Sequence, residues 1–211
     1  DRARQQLWVR VNPLDHQFAL PDLATVMRGG PDGIVLPKVY SATEINRLAD
    51  FLAALEVREG IKIGSTKILS VATETAASLL TFHTYLENIT DRLIAMTWGA
   101  EDLAAALGAS DNRNPTTGEY DDAFLMAKSQ CLATARAINV QPVGVVWINF
   151  RDPKGLENDC RRDRRADIAI KGEKIAAVET NIDAEAGQVI DCGGRLVSGS
   201  LIDAHVHLDA V

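Results

Sequence analysis

The segments ILSVATET (residues 68–75) and RLIAMTWGAED (residues 92–102) each contain an apolar, β-rich run that leads into an acidic residue. Glu74 follows the first run, and Asp102 follows the second. Short apolar runs of this kind are typical of buried strands in a parallel sheet. We therefore predict two neighbouring strands of a (β/α) barrel that deliver two carboxylates to one site, where they could bind a divalent metal.

Strand and helix patterns alternate along the chain on both sides of these segments. Three further β-rich runs are LWVRVN (7–12), GIVLPKV (33–39) and PVGVVWINF (142–150). Helical patterns cover residues 21–27, 41–55, about 76–88, 101–108 and 122–138. Repeated strand–helix units require parallel strands, because right-handed crossovers carry the helices.

Local signals mark the ends of some of these helices. Ser41 and Glu44 have the spacing of a capping box at a helix start. Gly108 follows EDLAAAL and is predicted to end that helix.

The number of units sets the expected architecture. A complete barrel typically has eight strands and about 250 residues, so five units do not close one. An open dinucleotide-binding sheet would have a Gly-rich turn after its first strand, and VRVNPLD (9–15) has none. We therefore predict an α/β fold, namely an incomplete (β/α)8 barrel of the TIM type with parallel strands.

Composition narrows the classes of partner and the compartment. The net charge of −7 and the scattered basic residues argue against nucleic acid or an anionic membrane as a partner. No apolar run approaches the roughly 20 residues of a membrane helix, and no leader pattern is present. Three cysteines without close pairing favour a reducing compartment, so we predict a cytoplasmic protein.

The order and spacing of several motifs resemble those of the HpcH/HpaI aldolase and citrate lyase beta-subunit family. These motifs are VRVNPLD, DGIVLPKV, ILSVATETA, RLIAMTWGAEDLAAALG and INFRDPKGLENDC, within residues 8–160. The resemblance implies a barrel enzyme that uses Mg2+ or Mn2+ to cleave or form a carbon–carbon bond in a hydroxy-acyl-CoA thioester. The implied partners are an acyl-CoA thioester of the malyl, citramalyl or citryl type and a small keto acid.

The resemblance also assigns roles to particular residues. Glu74 and Asp102 match the metal carboxylates, and Arg10 matches the catalytic arginine that binds the substrate. The backbone N–H groups of Gly99 and Ala100 precede a predicted helix and would stabilise an anion. The family also leads us to expect two strands before Arg10 and a final strand after Asp152, and the sequence shows neither.

Each of these residues has a structural alternative. Arg10 could lie on the wet face of its strand, and Glu74 and Asp102 could cap the helices that follow them. Lys38 could contact an acidic substrate or remain a solvated lysine at a strand end. Glu101 is interpreted as a cap or a supporting partner rather than as a ligand.

The sequence pattern changes after about residue 164. ADIAIKGEKIAAVE (166–179) predicts a β-hairpin around Lys171, Gly172 and Glu173. Residues 166–209 resemble the opening of the amidohydrolase superfamily, of the cytosine deaminase and dihydroorotase kind. That resemblance implies a small β-sandwich-like segment in which His205 and His207 bind Zn2+ or Fe2+. We accordingly predict two domains, a partial barrel at 1–163 and this β segment at 164–211.

Three classes of function follow from the sequence. The leading one is a metal-dependent carbon–carbon lyase acting on acyl-CoA thioesters, with impaired activity in an incomplete barrel. The alternatives are an amidohydrolase fragment and a catalytically inactive interaction module. Barrels of this kind commonly assemble, so a homo-oligomer is a further expectation.

Overall fold

The computed structural model describes residues 5–157, 167–171 and 174–179, and these described residues divide into two compact units, one before and one after the bond between Val145 and Val146. Each unit is described by itself. The first unit contains a parallel sheet of five strands: β1 (Trp8–Arg10), β2 (Gly33–Leu36), β3 (Lys67–Val71), β4 (Leu93–Thr97) and β5 (Gln141–Val143).

The strands lie in the sheet in the same order as in the sequence. A doubly wound sheet reverses its strand order at a switch point, whereas a (β/α) barrel adds each new strand on the same side. The sequential order therefore confirms the predicted α/β fold with parallel strands of the barrel type. The fifth strand is shorter than predicted: it spans Gln141–Val143, whereas the predicted run covers residues 142–150.

Helices connect the strands and cover the sheet. The α-helices are α1 (Ala19–Val26), α2 (Ala42–Glu59), α3 (Glu101–Leu107) and α4 (Asp122–Ala137). A 3-10 turn at Met27–Gly29 extends α1. The side chains that bury most completely come from the strands and from the inner faces of these helices: Leu23, Met27, Ile34, Leu36, Ile45, Leu48, Leu52, Ile68, Met96 and Leu103.

The connection between β3 and β4 differs from the single helix predicted near residues 76–88. It consists of two 3-10 helices, Ala77–Leu80 and Phe82–Leu86, separated at Thr81. The hydroxyls of Ser78 and Thr84 donate to the carbonyls three residues earlier, at 2.6 and 2.7 Å. Such local bonds compete with the α-helical ladder and favour the tighter turn.

The predicted helix ends are found largely as expected. Ser41 is the N-cap residue of α2, and the Glu44 carboxylate accepts the backbone N–H of Tyr40. The side-chain bond from Ser41 is not formed, and the Glu44 carboxylate binds the N–H one residue before the N-cap, so the predicted capping box is formed only in part. Gly108 ends α3 with φ of 70°, a left-handed conformation that glycine adopts without strain.

A buried ion pair lies at the amino-terminal end of the sheet. Arg92 directly precedes β4, and its guanidinium donates to both carboxylate oxygens of Glu56 on α2, at 2.8 and 2.7 Å. The same carboxylate accepts the backbone N–H groups of Gly64 and Thr66, each at 2.8 Å. Glu56 is fully buried, but both of its carboxylate oxygens accept hydrogen bonds, including charge-assisted ones from Arg92. These bonds tie the end of α2 to the starts of β3 and β4.

The second unit contains an antiparallel hairpin, β6 (Asp167–Lys171) and β7 (Lys174–Glu179). Ile168 pairs with Val178 in its register. The predicted hairpin at 166–179 is therefore confirmed, whereas the domain boundary at residue 163 stays a prediction. In the part of the chain that the structure describes, no helix is both long and apolar enough to cross a membrane.

Candidate active site

The carboxyl-terminal edge of the sheet brings Arg10, Glu74 and Asp102 together. Arg10 is the last residue of β1, Glu74 lies three positions past the end of β3, and Asp102 lies in the first turn of α3. In a parallel sheet these positions share one edge, where the active sites of barrel enzymes lie. Arg10 Nη2 is 3.5 Å from Glu74 Oε1, and the guanidinium remains 30% exposed.

Glu74 is a buried carboxylate with a disturbed ionisation. Its side chain is only 6% exposed, and its Oε2 accepts the backbone N–H of Lys38 at 2.7 Å. Burial raises the pKa of Glu74, and the adjacent Asp102 carboxyl raises it further. The Lys38 amide and the Arg10 guanidinium lower this pKa but do not offset the increase. A nearby cation would stabilise the ionised form of such a carboxylate.

Lys38 contacts both acids through different atoms. Its N–H binds Glu74, and its Nζ lies 3.1 Å from Asp102 Oδ1. The residue adopts φ of 53°, which is uncommon for a residue other than glycine. The loop after β2 is therefore the fourth strand end that contributes to the site, and Lys38 is not merely a solvated lysine.

Gly99 allows Glu74 to lie against the loop that follows β4. A Cβ atom at Gly99 would be 2.9 Å from Glu74 Cγ, which is closer than real Cβ contacts, and 3.3 Å from Oε1, which is a tight contact. The Gly99 N–H donates to Thr73 Oγ1 at 2.9 Å, so this amide is engaged within the fold. Ala100 is the buried N-cap residue of α3. Anion binding by Gly99 and Ala100 stays a prediction.

Other side chains singled out from the sequence have structural partners. Glu101 accepts Asn112 Nδ2 at 2.7 Å and so acts as a supporting partner, in line with its interpretation. Residues 205 and 207 lie outside the described residues, so metal binding by His205 and His207 stays a prediction.

Sequence reasoning missed residues that hold the loops of this edge. Asp22 of α1 accepts both the backbone N–H and the side-chain Nδ2 of Asn12, at 3.1 and 2.6 Å, which fixes the loop after Arg10. Thr73 ties the loop after β3 to Gly99. For Asn12 and Thr73 the available signal is their nearness in sequence to Arg10 and Glu74, because residues next to a strand end form the same edge, whereas Asp22 lies on α1 and gives no such signal.

The donor set fits a hard divalent cation. Among the described residues, no group of three or more His, Cys, Asp or Glu side chains could hold a metal ion. Mg2+ needs only one or two carboxylates, because water and substrate oxygens complete its shell. Glu74 and Asp102 are such a pair, and their mutual repulsion would be relieved by the ion. An oxygen-only pair suits Mg2+ or Mn2+ better than Zn2+.

Comparison with known proteins gives a consistent set of relatives. The family model for HpcH/HpaI aldolase/citrate lyase matches residues 1–172. The chain is 34% identical to citrate lyase subunit beta from Haemophilus influenzae over 152 residues, which are 70% of this chain and 48% of that protein. It is 30% identical to mitochondrial citramalyl-CoA lyase from Mus musculus over 170 residues, which are 76% of this chain and 48% of that protein.

A solved structure agrees with these relatives. Protein CitE from Mycobacterium tuberculosis, in complex with magnesium and acetoacetate, superposes with a TM-score of 0.61 at 26% identity. The match covers 74% of this chain and 57% of that chain. The chain thus spans about half the length of the curated relatives it matches.

Proposed function

The chain belongs to the HpcH/HpaI aldolase/citrate lyase family, and we propose that its site serves a Mg2+-dependent or Mn2+-dependent carbon–carbon lyase. The substrate would be a hydroxy-acyl-CoA thioester of the malyl, citramalyl or citryl type, and its cleavage would release a small keto acid. In the direction of bond formation the keto acid would be a substrate. The observation that carries the proposal is the meeting of Glu74, Asp102 and Arg10 at the carboxyl edge of a sequentially ordered parallel sheet.

In this proposal Glu74 and Asp102 hold the metal ion, and Arg10 binds the substrate. When bound, the ion would act as a Lewis acid on the keto acid oxygens. The Arg10 guanidinium has five N–H donors in a rigid fork, and only Nη2 faces Glu74. Its remaining donors suit a substrate carboxylate or a developing enolate oxygen, where a permanent charge stabilises the anion.

An assay of keto acid release from hydroxy-acyl-CoA thioesters tests the proposal. We expect release of glyoxylate or pyruvate that requires Mg2+ and that Glu74→Gln abolishes. Glu87→Gln is the matched control, because Glu87 is exposed and lies at the end of a 3-10 helix away from the carboxyl edge. Metal-dependent release that persists in Glu74→Gln contradicts the assignment.

The carboxyl-terminal segment carries a separate proposal. The hairpin β6–β7 agrees with the small β segment that the amidohydrolase resemblance implies, and from that resemblance alone we propose a Zn2+ or Fe2+ site at His205 and His207. Zinc titration of the full chain and of His205→Ala tests it, and equal binding by both proteins rules the site out. Metal binding without lyase or hydrolase activity would favour the third candidate, an inactive interaction module. A cytoplasmic location and a homo-oligomer stay predictions.

A further inference from the structure

Lys38 has an unusual position in the site, because it contacts both Glu74 and Asp102. Its backbone N–H donates to Glu74 Oε2 at 2.7 Å, and its ammonium lies 3.1 Å from Asp102 Oδ1. The N–H and the ammonium belong to a single loop residue between β2 and α2. The two carboxylates come from different segments: Glu74 lies in the loop after β3, and Asp102 lies in the first turn of α3, after β4. Lys38 therefore sets the relative placement of the two carboxylates.

The backbone of Lys38 is held in an unfavourable conformation. Its φ of 53° lies in the left-handed region, where the Cβ of an ordinary residue crowds the following carbonyl. Such conformations persist only where the surroundings impose them, and they collect at functional sites. Here the residue with the unfavourable φ is also the one whose N–H binds Glu74, so the strain lies at a residue of the site.

The ion pair between the Lys38 ammonium and the Asp102 carboxylate can be replaced by another cation at that carboxylate. The two side chains are 44% and 39% exposed, so water competes with the pair and its net contribution is small. The contact with Glu74 differs, because it joins a backbone donor to a side chain that is only 6% exposed. One contact of Lys38 is thus fixed, and the other can be released.

We propose that Lys38 is a positioning residue with an exchangeable charge. Its N–H fixes Glu74, while its ammonium neutralises Asp102 and competes with a divalent cation for that carboxylate. This inference rests on the proposed function, since it takes Glu74 and Asp102 as the pair that binds the cation. Lys38 lowers the affinity of the site for the cation and, in return, keeps two neighbouring carboxylates in place before the cation binds.

Mn2+ binding to the full chain, followed by electron paramagnetic resonance, tests this inference without any assay of activity. Lys38→Gly keeps a residue that accepts the left-handed conformation and removes the ammonium, so we expect Mn2+ to bind about two- to fivefold more tightly, the range of an exposed ion pair. Lys38→Arg keeps the charge and should bind Mn2+ as the unmodified chain does. Lys38→Asn repeats the first test with a residue that also tolerates this φ.

A double-mutant cycle separates the direct contact from a general effect of charge. In an Asp102→Asn background, Lys38→Gly should no longer tighten Mn2+ binding, because the carboxylate for which the lysine competes is gone. Tightening that persists in this background overturns the inference. Asn139→Gly is the backbone control, because Asn139 also has positive φ, 57°, but lies after α4. It should leave Mn2+ binding unchanged.

The outcomes also separate this inference from the proposed function. If the unmodified chain binds no Mn2+, or if Glu74→Gln binds it equally well, both proposals fail. If Glu74→Gln loses Mn2+ while Lys38→Gly and Lys38→Asn bind it unchanged or more weakly, only the role of Lys38 fails. Thermal melting of each variant checks that the comparison concerns folded protein.

Discussion

Two arginine–carboxylate pairs lie at opposite ends of the same sheet and have opposite characters. At the amino end, Arg92 binds Glu56 through two bonds of 2.8 and 2.7 Å, and two backbone N–H groups complete the carboxylate. At the carboxyl end, Arg10 approaches Glu74 through a single contact of 3.5 Å. In the first pair, protein donors satisfy both carboxylate oxygens of Glu56. In the second pair, the single contact leaves N–H donors of Arg10 for a substrate and leaves the Glu74 carboxylate for a cation.

The ionisation of the two glutamates follows this difference. Burial raises the pKa of Glu56, but the Arg92 guanidinium and the N–H groups of Thr66 and Gly64 outweigh it and bring the pKa down to about 2. Burial likewise raises the pKa of Glu74, and there the Asp102 carboxyl adds to the increase. In barrel enzymes the amino end of the sheet contributes to stability and the carboxyl end carries the chemistry. The two pairs divide these tasks in the same way.

The largest expected difference between the two ends of the sheet is the stability lost when the charge of each glutamate is removed. We expect Glu56→Gln to lower the free energy of unfolding by about 3–5 kcal/mol, because it leaves the buried Arg92 charge without a counter-ion. Glu74→Gln should change it by less than about 1 kcal/mol in the presence of a chelator, since it removes repulsion as well as bonds. Urea unfolding measures both, with Glu87→Gln as the exposed control. Equal losses would contradict the contrast between the two ends.

The dependence of stability on pH should have opposite signs at the two ends. The pKa of Glu56 is about 2 in the fold, against 4.5 for a freely solvated glutamate, so its ionisation contributes about 3 kcal/mol above pH 4.5, which is lost as the pH falls towards 2. The pKa of Glu74 is raised above 4.5, so its contribution is present below 4.5 and is lost as the pH rises through the folded value.

Urea unfolding across a pH series, with a chelator present, measures these two slopes. Glu56→Gln should remove the acid-side loss of stability. Glu74→Gln should remove the decline that begins above about pH 4.5, where a freely solvated glutamate ionises. A variant that leaves the slope of the unmodified chain intact shows that its carboxyl does not titrate in the way described.

The sequence predicted the carboxyl end of the sheet better than the amino end. Glu74, Asp102 and Arg10 follow or end β-rich runs, and strand order alone places them on one edge. Glu56 and Arg92 are 36 residues apart, and their pairing depends on how α2 packs over the sheet. One signal was available, because Glu56 continues the buried face of α2 four residues after Leu52. A charge on an apolar face requires a buried partner.

The fine structure of the loops could not be read from the sequence. The left-handed φ of Lys38 and the tight approach of Gly99 to Glu74 come from tertiary contacts, not from local preference. Likewise, the hydroxyls of Ser78 and Thr84 turned a predicted helix into two 3-10 segments. Strand order and edge residues depend on the periodic pattern, whereas these details depend on which atoms meet after folding.

The last expected change concerns the space beside Glu74. In Gly99→Ala the new methyl group would lie 2.9 Å from Glu74 Cγ, so either the glutamate or the loop must shift. We expect a loss of about 1–3 kcal/mol in unfolding free energy, typical of overpacking, together with weaker Mn2+ binding because the carboxylate moves. Gly29→Ala is the matched control, since nothing lies within 4 Å of its added methyl group. If Gly99→Ala binds Mn2+ as the unmodified chain does, the position of Glu74 does not depend on this glycine, and the carboxyl end is less tightly preorganised than its contacts indicate.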